Sequence, residues 1–191
     1  MQHVLALALC AALAAPGGER FDFLSVRGHT VESTHGVKIS VEVAGDLEPL
    51  GEAHHEPVFG GKRFRVSLAA FASGDRFVMV HAEQLADGGG TLDYSSLEPD
   101  ALGAFAFTAR QQCADLPAEV VTAEHDLRFL RDSGFDPSPG VVIRQYLTTS
   151  KDGNSELVLT YGERVKACGA AASGSLADRA KAAFRVLRLE R

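Results

Sequence analysis

The stretch Lys62–Leu85, KRFRVSLAAFASGDRFVMVHAEQL, constrains this chain more than any other part of it. In its first arm Phe64, Val66, Leu68 and Ala70 alternate with Arg63, Arg65 and Ser67. That period of two belongs to a half-buried strand, because successive side chains leave opposite faces. Ser73-Gly74-Asp75 interrupts the alternation with turn residues. The second arm, Phe77-Val78-Met79-Val80, is apolar at every position, and such a strand has to be covered on both faces. The expectation is a long hairpin at the centre of a sheet, with further elements laid over it.

Other segments carry the same signal more briefly. Val37, Ile39, Val41 and Val43 share one face, with Lys38, Ser40 and Glu42 on the other, and Gly45-Asp46 ends the run. Gly103–Arg110 alternates through Phe105 and Phe107 and leads into Cys113. Val141–Thr149, the turn residues Lys151-Asp152-Gly153-Asn154 and the arm Glu156–Tyr161 form a second hairpin signal, with Leu157, Leu159 and Tyr161 on one face. Leu47–Pro57, holding two prolines and a glycine, reads as a loop.

Helical spacing occurs in two places. Val120, Ala123, Leu127 and Leu130 recur within Pro117–Asp132, which Gly134 and Pro137 terminate. Near the C-terminus Ser175 can cap a helix whose stripe is Leu176, Ala180, Ala183, Phe184 and Leu187. Together these elements predict an α+β fold. It is a single domain over 16–191, with an antiparallel β-sheet built from hairpins and about two helices, one of them C-terminal, packed on one face.

Val4–Ala15 is apolar throughout and runs directly into Pro16-Gly17-Gly18. It is shorter than the roughly 20 residues a membrane-spanning helix needs, and residues 1–15 read as a signal peptide, although no Lys or Arg precedes the apolar run. No integral membrane segment is expected after its removal, and the location expected is periplasmic or secreted. Processing leaves two cysteines, Cys113 and Cys168. In an oxidising compartment they are expected to form a disulfide, worth about 4 kcal/mol by the entropy of the loop it closes.

The chain carries 25 acidic against 19 basic residues, and its longest basic run is Lys62-Arg63. Nucleic-acid binders need a basic patch, so that class is set aside. The absence of Trp and an aromatic content of 7% also argue against base-stacking platforms. No GxSxG, SxxK, HExxH, phosphate-loop or dinucleotide-binding motif is present, and no cofactor is implied.

Histidines are the chain's distinctive supply. His54-His55-Glu56 is the sharpest metal candidate, although neighbours on extended backbone point in opposite directions. His81 and Glu83, two apart on a strand, share a face and could share a ligand or a proton. Glu124-His125-Asp126 reads as the solvated face of a helix. The leading expectation is a non-catalytic module binding an unknown protein or small-molecule partner. A second is a small metal-dependent enzyme or hydrolase using His81 and Glu83 with His54 or His55. A third is an envelope-assembly component whose exposed strand pairs with another chain.

Overall fold

The computed structural model describes residues 21–59, 61–89, 92–169 and 175–190; the expected signal peptide, 1–15, lies outside the described residues. In chain order the elements are β1 (Leu24–Arg27), β2 (Thr30–Ser33), β3 (Lys38–Val43), β4 (Glu48–His55), β5 (Val58–Phe59), β6 (Lys62–Ser73), β7 (Arg76–Leu85), β8 (Glu98–Leu102), β9 (Phe105–Asp115), α1 (Ala118–Ala123), α2 (His125–Asp132), β10 (Gly140–Thr149), β11 (Ser155–Arg164), α3 (Leu176–Ala183) and β12 (Phe184–Glu190). The strands form two antiparallel sheets. One has four strands in the order β1-β2-β3-β12. The other has eight, in the order β4-β6-β7-β11-β10-β9-β8, with β5 pairing β6 beyond the end of β4.

This architecture corrects the α+β expectation. Strands make up 55% of the described residues and helices 14%, so the fold is β-rich rather than a balanced mixture. Two segments account for much of the difference. The C-terminal helix stops at Ala183, and Phe184–Glu190 becomes a strand that pairs β3. Helical spacing does run on to Leu187. Pairing wins because β3 otherwise presents an open edge, and Val186 and Leu189 fall opposite Val41 and Ile39. Leu187 is left exposed.

The expected loop Leu47–Pro57 is largely the strand β4. Pro49 is tolerated there because β4 lies at the sheet edge, where a missing N–H costs no ladder bond. Between Pro49 and Gly51 the pairing with β6 slips: Pro49 stands opposite Phe71 and Gly51 opposite Ala70, leaving Leu50 extra. This β-bulge reverses the alternation for the rest of the strand. His55 therefore joins the face that carries Val66 and Leu68, and His54 joins the opposite one.

The face of the eight-stranded sheet turned toward the four-stranded sheet is the main core. Phe71, Val78, Val80, Leu157, Leu159, Tyr161 and Tyr146 pack there against Val31, Ile39, Val41 and Val43 and against Leu176, Ala180 and Ala183 of α3. Each such buried aliphatic contributes about 1.5–3 kcal/mol. The outer face is covered over only part of its length. Leu68, Ala70, Phe77, Met79 and Val141 are roofed by Val121 and Leu130 of α1 and α2 and by Leu116 and Phe135. Thus β7 is buried on both sides, as its apolar run requires. Cys113, near the end of β9, is joined to Cys168 beyond β11 with a Cα–Cα distance of 5.7 Å.

Candidate functional site

Where the helical roof stops, the outer face of the eight-stranded sheet turns polar. Strand register decides which side chains meet there. His81 of β7 lies opposite Leu68 and Val158, and Glu83 lies opposite Val66 and Glu156. On β10, Gln145 is paired with Thr160 on one side and Arg110 on the other. All project from the face that carries Phe77 and Met79, and His81, Glu83, Glu156, Gln145 and Arg110 line a cleft of about 340 Å³ together with His55, Tyr94 and Asp126. Its apolar walls are Phe59, Phe64, Val66, Leu147 and Val158. A second hollow of about 260 Å³ adjoins it under the start of α2 and shares His55, Phe59, His81, Asp126 and Gln145.

The roof contributes Asp126 because the helix expected over Pro117–Asp132 is broken. Glu124 adopts extended backbone (φ −81°, ψ 126°), separating α1 from α2. The second helix therefore starts in a new direction, and its first turn hangs over the sheet. One oxygen of Asp126 accepts from His81 Nε2–H at 3.2 Å. The other lies 3.3 Å from His55 Nε2 and 3.6 Å from His125 Nδ1. The His55 and His125 rings stack with centroids 3.8 Å apart and 17° between planes.

Burial sets the charge states. Burial drives the His55 imidazole down to about 4, against the pull of Asp126. At His81 burial acts in the same direction, but the hydrogen bond and charge of Asp126, with Glu83 and Glu156, outweigh it and raise the value. Asp126 is held at about 2: burial opposes ionisation, and the contacts with His81, His55 and His125 more than compensate. Burial lifts Glu83 to about 7, with Glu156 adding to the rise and His81 opposing it. Glu156 is also raised by burial, although the Tyr94 hydroxyl donates to its Oε2. Arg110 gives its Nε–H to Gln145 Oε1 at 2.6 Å, and Gln145 in turn donates to Thr160 Oγ1 at 3.1 Å.

Of the residues singled out from sequence, the structure brings His55, His81 and Glu83 into one cleft and leaves His54 out. His54 sits on the opposite face of β4, 3.5 Å from Asp22. Two further histidines have structural roles. His29 donates to the Leu47 carbonyl at 3.0 Å, and His35 is buried with its Nε2 against the Glu156 carbonyl at 2.9 Å. Sequence reasoning missed His125, Asp126, Tyr94, Arg110 and Glu156. Glu156 had a usable signal, since Leu157, Leu159 and Tyr161 alternate inward and so direct Glu156 outward. Compared with family models, curated proteins and solved structures, the chain gives no match.

Proposed function

We propose that this chain is an exported, non-catalytic binding protein that takes a small amine-bearing molecule with an apolar flank into the cleft of the eight-stranded sheet. The observation that carries the reading is the pairing of Glu83 with Glu156 on adjacent strands, facing the same cavity as Asp126. Two carboxyls side by side in a half-buried cleft resist ionising, and an ammonium between them relieves that resistance. Phe59, Phe64, Val66, Leu147 and Val158 supply the apolar flank. Export is supported by the Cys113–Cys168 bond. Among the described residues no helix is long and apolar enough to cross a membrane.

The test is calorimetric titration of the metal-free protein with putrescine, spermidine and choline, and with succinate as the opposite-charge control, in two buffers of different ionisation enthalpy. The expected result is amine binding accompanied by proton release near pH 7. Glu83→Gln should weaken it by about tenfold or more, the value of one charge-assisted contact. Succinate binding with no heat from any amine would reject the proposal.

A further inference from the structure

At the roofed end of the same cleft, and on observations separate from the glutamate pair, we propose that His55, His125 and Asp126 form a binding site for a divalent transition-metal ion of the zinc class, with His81 as the residue that positions the carboxylate. One ligand atom from each of the three lies within 4.8 Å of the others. Asp126 Oδ1 is 3.3 Å from His55 Nε2 and 3.6 Å from His125 Nδ1. Two donors held about 2.1 Å from one tetrahedral ion stand about 3.4 Å apart, so these spacings suit a shared ion.

The donor set is two imidazoles and one carboxylate. Such a set suits zinc, copper, nickel or cobalt and disfavours calcium and magnesium, which prefer oxygen alone. The atoms also lack other employment. Asp126 Oδ1 and His125 Nδ1 are both shut off from solvent and have no hydrogen-bond partner among the described residues. Buried polar atoms without a partner are uncommon and call for an account. The His55 and His125 rings stack near-parallel, and because an imidazole holds a metal in its own ring plane, binding would turn the partly exposed His125 ring out of that stack toward the shared ion.

His81 completes the arrangement from outside the ligand set. Its Nε2–H is donated to Asp126 Oδ2, the oxygen turned away from the two ligand histidines. An outer partner of this kind fixes a ligating carboxylate and is worth about 10–100-fold in metal affinity. Three ligands leave a fourth position for water or another molecule. His55, Asp126 and His81 line both hollows, so the ion would stand where the two meet.

The experiment uses the mature, disulfide-bonded protein stripped with chelator. Zn²⁺ binding is measured by competition with a chromophoric chelator, and Co²⁺ binding by visible absorption. The expected result is one equivalent bound and a d–d band of low-coordinate Co²⁺. His55→Ala and His125→Ala should each weaken Zn²⁺ by at least about 100-fold, more than the loss of an outer partner costs. His125 is partly exposed, so its variant keeps the fold if His55→Ala does not. His81→Ala should weaken binding by about 10–100-fold while the Co²⁺ band shifts, which a purely structural role would not cause. His54→Ala should change nothing. Stoichiometric binding that survives His125→Ala, equal loss in His54→Ala, or no binding by the wild type would each overturn the proposal. Amine binding is measured on stripped protein, so either reading can fail without the other.

Discussion

Glu83 and Glu156 stand directly opposite one another on β7 and β11, on the face that lines the cleft. Burial, and after it the partner's charge, holds the Glu83 proton to about pH 7, whereas the unfolded chain releases it near 4.5. Between these values the folded state binds more protons than the unfolded one, so stability falls as pH rises across that window. The loss is at most about 3 kcal/mol. Glu83→Gln should flatten this slope. In urea unfolding the variant should match wild type near pH 4 and exceed it by about 1–3 kcal/mol at pH 8. A variant equally destabilised at both pH values would show that the proton is not held there.

Asp100 of β8 receives Arg144 Nη2 at 2.6 Å and Lys181 Nζ at 2.7 Å, tying α3 to the edge of the large sheet. Arg144 is buried on the inner side of β10, its guanidinium 5.7 Å from the Tyr146 ring. Removing one partner of a buried pair leaves the other charge uncompensated, so Asp100→Asn should cost about 2–4 kcal/mol. Glu98 also faces Arg144 but at 3.6 Å and largely in solvent. Glu98→Gln should cost under about 0.5 kcal/mol. Equal losses for the two in denaturant titrations would contradict this account.

The Cys113–Cys168 bond spans 55 positions of sequence, and both residues lie on the surface. Replacing both by Ser opens no cavity, so its effect acts through the unfolded ensemble. The double variant should lose up to about 4 kcal/mol. Its amide-exchange protection in the centres of β7 and β11 should fall by the same amount as its global stability. Protection lost selectively at β9 and β10 would mean instead that the bond holds the native edge in place.

Gly162 of β11 faces Phe77 of β7, and the ring lies over the glycine. A Cβ at Gly162 would come 2.1 Å from the Phe77 ring. The ring cannot simply retreat, because Phe135 packs against it at 5.1 Å between centroids. Gly162→Ala should therefore cost about 1–3 kcal/mol by overpacking. Phe77→Leu in the same chain should return part of that loss, the two changes being coupled through one contact. A strictly additive double mutant would refute the contact.

The parts of the fold legible in the sequence are those whose signal is local. Both hairpins form where alternation and turn residues place them, because a strand, its turn and its return arm lie within one window. β12 escaped that reading. Leu176, Ala180 and Ala183 give helical spacing that Phe184 and Leu187 continue, and the competing partner, β3, lies far away in sequence. β4 escaped because Pro49 and Gly51 are loop residues everywhere except at a sheet edge. The site divides in the same way. His81 and Glu83 share a strand, so period two joined them. Glu156 reaches them through the β7–β11 register, which no short window contains. His125 and Asp126 were hidden by the break at Glu124, without which an unbroken helix would have held them toward solvent. His55 was parted from His54 by one extra residue, Leu50, which local periodicity does not announce.

The pairing of β12 with β3 also bears on the order of events in synthesis. β1, β2 and β3 come from the first part of the chain, yet their sheet takes its fourth strand, and α3 beside it, from the last described residues. Val31, Ile39, Val41 and Val43 therefore emerge long before Leu176, Ala180 and Phe184 can cover them. Closing contacts this distant in sequence is slow, and the waiting strands present an open apolar edge throughout. Ribosome-bound chains halted before Phe184 should accordingly remain protease-sensitive in β1–β3, and release of the last strand should bring protection to both ends of the molecule in one step.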